Sequence, residues 1–530
     1  MSLDGVLAVV IVVKRGPEVA QRKPEMVSLS LAVRGMWQRN ADRPCSAARI
    51  SWEQVMTDQL VGQFVVSKWR DSGAGTMARH LPLTRRDALR VIGGAPAVWP
   101  AVTHAANGSA AGSLKPPRSV LFVFLAGGPS HIDTFDMKPD APAEIRGPFQ
   151  SIATQTPGYH ICEHLPLLAQ RTGKYTVVRT LGLKSQADAV HELATPLVLS
   201  GTDFRKPGAT TVWSRHDWPC YAAALEFVRP RSDGLPSGIS LPYRIEPFPG
   251  QDAGFLGPLY DPWQLNVDLN NPRFDAQAMR LPDGFSHHRL QRRGALLRML
   301  RDQGDHGRSP GQQQFTKQQE RAYQVLSRGT LAQAFDLERE PQQLRDLYGD
   351  HLWGQTLLLS RRLIQAGVPI VQANLGHPYF WDTHTENFKG HKERLLPPFD
   401  RAFAALLDDM EMSGLLEETL VIAMGEFGRT PKIGGNVGTP SYSPTGRDHW
   451  VFCFSGLFAG AGVRPGQVIG RTDSTGSYPT TDTYFASDVG ATIFSTLGIE
   501  LGGVIHDRLG REYPLNDGQV MQTLYDASRS

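Results

Sequence analysis

Apolar positions along the chain fall into two patterns, short continuous runs and helical stripes. Ser119 to Leu125 reads SVLFVFL, a run of strand length rich in Val and Phe that predicts a strand buried on both faces. It stops abruptly in the polar AGGPSHIDTFD. Tyr175 to Val178 predicts a shorter strand ending at Arg179. Farther on, LWGQTLLLSRRLIQAG places Leu352, Thr356, Leu359 and Leu363 at helical spacing and ends at Gly367, the usual post-helix residue. The strand VPIVQAN follows and runs into LGHPYFWDTH. The same order returns in PPFDRAFAALLDDMEMSG, where Phe399, Phe403, Leu406 and Met410 form a stripe and Gly414 closes the helix. Its strand is TLVIAM, Thr419 to Met424, which ends in GEFGRTP.

Helix then strand, with polar residues gathered just past each strand end, predicts a three-layer α/β/α fold. Its central sheet is mostly parallel, and ligands bind beyond its carboxyl edge. The middle of the chain differs: residues 205 to 275 are rich in Pro, Gly and aromatics, and Arg308 to Gln324 is polar and glutamine-rich. These features predict a long insertion or cap over residues 205–340 of a single domain spanning 111–520, with a tail at 521–530.

Composition adds exclusions. With 55 basic against 52 acidic residues and a net charge of +3, the chain lacks the clustered basic face a nucleic acid needs. The apolar run from Val6 to Val13 falls short of the roughly 18 residues a membrane helix requires, so no integral membrane segment is expected in the mature chain. Cys45, Cys162, Cys220 and Cys453 stand far apart with no C-x-x-C pair, which predicts free buried thiols rather than a metal ribbon or a disulfide framework.

Thr84, Arg85, Arg86, Asp87 and Leu89 match the S/T-R-R-x-x-L core of a twin-arginine export signal. A weakly apolar run from Val91 to Val102 follows, then small residues at Thr103, Ala105, Ala106 and Ala110 that suit cleavage. Met77 stands just before this stretch. Translation from Met77 would place the signal where export machinery reads it. Residues 1–76 are then a non-structural upstream extension, residues 77–110 signal and linker, and the mature protein is periplasmic or extracellular.

The strand ends carry the chemistry. Ser130, His131, Asp133 and Asp136 follow the first strand, His377, Asp382 and His384 follow VPIVQAN, and Glu426 with Arg429 follows TLVIAM. GRDHW supplies Arg447, Asp448 and His449. Carboxylates interleaved with imidazoles suit Zn²⁺ or Mn²⁺, and one or two such ions can clamp a phosphate-like or sulfate-like oxyanion.

Several long blocks resemble the DUF1501 family, exported bacterial proteins of unknown function. They are FVFLAGGPSHIDTFDMKPDAPAEIRGPF, ICEHLPLLA, GFLGPLYDP, WDTHTENF, GLLEETLVIAMGEFGRTPKI, GRDHW and AGVRPGQVIGRTD. The family is grouped with the alkaline phosphatase and sulfatase superfamily, which implies an alkaline phosphatase-like domain with a one- or two-metal centre. The resemblance implies an acidic ligand after the first strand, Asp133 or Asp136, with His131 beside it. Glu426 takes the place of a ligating Asp, Asp382 and His384 are similar to a second-metal pair, and Asp448 with His449 to a late histidine ligand. The sulfatase C-x-P-x-R sequence is absent, and HELATPLVLSGT stands where it would be expected. His191 lies near the nucleophile position; an imidazole can bind metal or accept a phosphoryl group but cannot perform formylglycine chemistry.

These features predict an exported, metal-dependent hydrolase-like protein acting on a phosphate or sulfate ester of a small molecule or polysaccharide. Arg179, Arg429 and Arg447 are the candidates for pairing with oxyanion oxygens, and Ser130, Thr180 and His191 for the nucleophile. The alternative is a secreted binding protein of the same fold without turnover. The missing standard nucleophile favours the alternative, and the gathered acids and histidines favour the hydrolase.

Overall fold

Alternate residues of the first strand turn to opposite layers of the molecule. β1 (Ser119–Phe124) is buried along its whole length; Val120, Phe122 and Phe124 join one apolar cluster, Leu121 and Val123 another. These observations come from a computed structural model that describes residues 118–203, 205, 211–266, 285–302, 330–376, 379–434 and 443–526, with isolated positions at 316, 319–320 and 323. The twin-arginine stretch, Met77, Cys45, His377 and most of the glutamine-rich segment lie outside the described residues. All described residues belong to one unit, Ser109–Ser530.

β1 is a central strand of an eight-stranded sheet. The others are β2 (Thr176–Leu181), β3 (Gly238–Leu241), β4 (Trp263–Gln264), β5 (Ile370–Asn374), β6 (Thr419–Met424), β7 (Phe454–Ala459) and β8 (Val468–Ile469). Their order is β8-β2-β7-β6-β1-β5-β3-β4. Neighbours are parallel except the two pairs made by β7, which runs against both β2 and β6.

Helices cover both faces. Leu121, Val123, Val371, Ala373, Val421 and Ala423 pack against α3 (Leu352–Gln365) and α4 (Leu396–Met412). The opposite face packs on α1 (His191–Ser200), α2 (Tyr221–Val228) and α5 (Ala486–Thr496). The predicted α4 stripe of Phe399, Phe403, Leu406 and Met410 is buried as the periodicity requires. Each such side chain contributes about 1.5–3 kcal/mol of transfer free energy. The protein is therefore the expected three-layer α/β/α fold with a mostly parallel sheet.

Two features differ from the expectation. The segment 205–340 is not wholly an insertion: β3 and β4 extend the sheet beyond β5, and α2 covers a face. β3 is only four residues long and starts at Gly238, too short and too interrupted to declare a period. β2 also continues through Arg179 to Leu181, because Thr180 and Leu181 remain buried. Cys162, Cys220 and Cys453 are free and buried. Among the described residues no helix is long and apolar enough to cross a membrane.

Candidate metal centre

β1, β5 and β6 lie side by side in register, Phe124 opposite both Asn374 and Met424. Their outgoing loops therefore leave the carboxyl edge together. The β1 loop contributes backbone: Gly127 has φ 114°, a conformation that glycine adopts without strain, and its N–H donates to Glu426 Oε1 at 2.9 Å and Oε2 at 3.1 Å. A Cβ there would stand 2.6 Å from the Asp382 nitrogen. The β5 loop delivers Asp382 and His384, and the β6 loop Glu426. A short antiparallel ladder, Gly428–Arg429 against His449–Trp450, draws Asp448 and His449 alongside. His191 arrives as the first residue of α1.

Asp382 is the hub. Its Oδ1 lies 3.0 Å from His384 Nε2, 3.1 Å from His449 Nε2 and 2.5 Å from Arg429 Nη2. Its Oδ2 lies 3.3 Å from His191 Nε2, off the hydrogen-bond direction. The two imidazole nitrogens of His384 and His449 face each other at 3.0 Å. Asp448 Oδ1 stands 3.4 Å from His384 Nδ1, and Glu426 Oε1 is 2.5 Å from His191 Nδ1. Two overlapping groups, His191–Asp382–His449 and His384–Asp448–His449, each bring their ligand atoms within 4.8 Å of one another.

Proton placement sharpens this geometry. His449 Nδ1 lies 2.8 Å from the Ala189 carbonyl, which only accepts, so that nitrogen carries the ring proton. Burial keeps the His449 pKa below the ordinary value, with Arg429 adding to the effect. Its Nε2 lone pair thus faces a carboxylate oxygen. Asp382 resists protonation: burial works against its charge, but Arg429 and the three imidazoles hold its carboxyl far below the usual range. Burial also opposes charge on His191, yet Asp382 and Glu426 outweigh it and raise that pKa to about 9. Asp382, Glu426 and Asp448 each stand beside an imidazole of the cluster, while Arg429 pairs with Asp382. The arrangement can hold a divalent cation.

The fold brings together His191, Asp382, His384, Glu426, Arg429, Asp448 and His449, and places the other expected residues elsewhere. The acidic ligand expected after β1 is absent from the cluster, where Gly127 stands instead. Asp133 is buried and accepts from Arg447 Nε at 2.7 Å, Arg447 Nη2 at 2.9 Å, Ser130 Oγ at 2.7 Å and Asn387 Nδ2 at 2.8 Å. Asp136 pairs with Lys138 at 3.1 Å and Arg179 at 3.2 Å. His131 is buried with Nε2 on the Gly476 carbonyl at 2.8 Å.

The oxyanion and nucleophile candidates are engaged with other partners. Besides Asp133, Arg447 donates to the carbonyls of Thr430, Pro431 and Ile145. All five of its N–H donors are spent, leaving none for an anion. Arg429 donates to the carbonyls of Gly127, Gly128, Trp381 and Arg447 and holds Asp382, so it clamps the loops. Arg179 lies over the Tyr159 ring beside Asp136. Ser130 is committed to Asp133, and Thr180 donates to the Asp482 carbonyl at 2.8 Å. Sequence reasoning missed Gly127 and the rings around His191, Phe248, Tyr379 and Phe427. The glycine pair after a buried strand was the one available signal for the first.

A family model described as a protein of unknown function, DUF1501, matches residues 117–525. No curated protein matches the chain. Among solved structures, a phosphonate monoester hydrolase from Silicibacter pomeroyi is 10% identical, with 78% of each chain covered and a TM-score of 0.35. An alkaline phosphatase superfamily protein from Vibrio parahaemolyticus is 12% identical, with 72% of this chain and 67% of that chain covered and a TM-score of 0.33. The lipoteichoic acid synthase LtaP from Listeria monocytogenes is 10% identical, with 73% of each chain covered and a TM-score of 0.34.

Proposed function

The chain belongs to the DUF1501 family, and we propose that it is an exported, divalent-metal-dependent hydrolase of a phosphate or sulfate ester, borne on a small molecule or a polysaccharide. The observation that carries this reading is the meeting of Asp382 Oδ1, His384 Nε2 and His449 Nε2 at 3.0–3.1 Å. Acceptor atoms packed so closely need a proton or a cation between them.

The donor set fits Zn²⁺ or Mn²⁺. Asp382, His384 and His449 would hold one ion, and His191 and Asp448 flank positions for that ion or a second. A backbone carbonyl fixes the His449 tautomer and a carboxylate fixes His191, the outer contacts that orient metal-binding imidazoles. When bound, a divalent ion supplies Lewis acidity for the anionic oxygens of the ester.

The chain's own groups supply the rest. Arg429 immobilises Asp382, and Glu426 ties His191 to the Gly127 backbone. His191 keeps its Nδ1 proton against Glu426 on the buried side of the cluster and turns Nε2 toward Asp382. The hydroxyls of Ser130 and Thr180 are engaged elsewhere, so water is the nucleophile in this reading.

That same engagement favours the second reading, a secreted binding protein that keeps the cluster without turnover. Metal analysis of purified protein, with hydrolysis of 4-nitrophenyl phosphate and 4-nitrophenyl sulfate before and after chelation, separates the two. Bound metal with chelator-sensitive hydrolysis supports the hydrolase. Bound metal without hydrolysis supports the binding protein, and no metal with no hydrolysis ends both.

A further inference from the structure

Three aromatic rings touch His191: Phe248 stacks at 5.2 Å, Phe427 lies tilted at 4.9 Å, and Tyr379 stands edge-on at 5.2 Å. Phe248 and Phe427 are wholly buried, whereas Tyr379 is 43% exposed. The first two pack the imidazole. Tyr379 leaves much of a large ring in solvent beside the cluster.

Its backbone is unusual as well. Tyr379 has φ 64°, the left-handed region that is costly for a bulky residue. The conformation is held from several sides. The Asp382 N–H donates to the Tyr379 carbonyl at 3.1 Å, fixing residue and ligand in one turn. The phenol donates to Glu192 Oε1 at 3.1 Å, and the ring meets Phe248 edge-on at 5.0 Å. Relaxing the turn would carry the ring away from His191 and disturb Asp382. Burial does not explain the strain, since the ring stays half-open.

We infer that Tyr379 determines specificity by stacking on a ring in the organic part of the ester. The preferred substrates then carry their phosphate or sulfate on a sugar or aryl ring rather than on an open alkyl chain. This rests on the reading of the cluster as an oxyanion-ester centre. The Tyr379 ring stands within contact of His191, beside the ion that Asp382, His384 and His449 would hold, so an oxyanion on that ion and the ring that bears it would lie side by side.

Calorimetry on the metal-loaded protein tests the inference without turnover. The probes are phenylphosphonate against methylphosphonate, and benzenesulfonate against methanesulfonate, which also distinguishes phosphoryl from sulfuryl recognition. In whichever pair binds, the ring-bearing probe should bind about three- to tenfold tighter, as aromatic contacts allow. Tyr379→Phe should keep this preference. Tyr379→Gly, which accepts the positive φ, should lose it, the ratio of affinities within each pair being the quantity read. A preference absent from the unsubstituted protein, or surviving in Tyr379→Gly, overturns the inference while methyl-probe binding leaves the oxyanion centre standing. Failure of all four probes to bind overturns both.

Discussion

Nε2 of His449 stands 3.1 Å from Oδ1 of Asp382, with the ring proton turned away toward the Ala189 carbonyl. A lone pair facing a carboxylate is unfavourable until a positive charge lies between them. Zn²⁺ or Mn²⁺ should therefore raise the melting temperature, the gain reaching about 2.7 kcal/mol at a hundred times Kd. Asp382→Ala and His384→Ala should each remove that gain and the bound metal together. Equal melting with and without chelator in the unsubstituted protein would contradict a metal at this position.

Glu426 touches the cluster only through others, by His191 Nδ1 and the Gly127 N–H. Glu426→Gln should weaken metal affinity by about 10–100-fold, the usual cost of losing an outer carboxylate. Titration with a chromophoric competitor measures it. Unchanged affinity would mean that His191 is oriented without Glu426.

The Arg447–Asp133 pair should behave as structure alone. Arg447→Ala leaves a buried carboxylate uncompensated and should cost about 3–5 kcal/mol, while Ser130→Ala, which removes two hydrogen bonds with Asp133, should cost about 1–3 kcal/mol. Folded Ser130→Ala protein should keep its metal and its hydrolysis. Loss of hydrolysis with intact metal would return Ser130 to the nucleophile role.

His191 gives a pH dependence of known sign. Its pKa in the folded chain, about 9, lies above the ordinary 6.5, so the folded state binds the extra proton. The stabilisation is fully present below pH 6.5 and is lost as pH rises through about 9. Chelated protein should therefore lose stability over that window, and His191→Gln should flatten the loss. A melting curve independent of pH across the window would remove the imidazolium from the metal-free cluster.

Export is proposed from residues outside the described structure. Protein begun at Met77 should be exported, and Arg85→Lys with Arg86→Lys should block it. Peptides from residues 1–76 found by mass spectrometry in the native protein would refute the internal start.

Strands buried on both faces were legible because their sequences are uninterrupted: TLVIAM is β6 residue for residue. β7 and β3 were hidden by glycines that packing demands. A Cβ on Gly456 would lie 2.6 Å from Leu181 Cδ1, and one on Gly238 2.2 Å from Ala222 Cβ. In the site, Asp382, His384, Glu426, Asp448 and His449 were readable as acids and imidazoles past strand ends. His131, Asp133 and Asp136 share that composition, and what separates them is partnership with Gly476, Arg447 and Thr472. No local pattern reports partners more than three hundred residues away. His191 was noticed for its place in a motif, but its pairing with Glu426 depends on how α1 meets the β6 loop. Tyr379 carried no signal, since a positive φ is written in neither composition nor period.

The cluster draws on His191, Asp382, His384, Glu426, Asp448 and His449, which share no short segment. They meet only when β1, β5 and β6 are registered and the Arg429–His449 ladder has closed across a long excursion of chain. Such distant contacts form late, because loop-closure entropy precedes any reward. A growing or half-folded chain thus presents isolated side chains with little hold on an ion. Under the proposed reading, uptake of the ion would certify completion, a checkpoint suited to the folded export proposed for this chain.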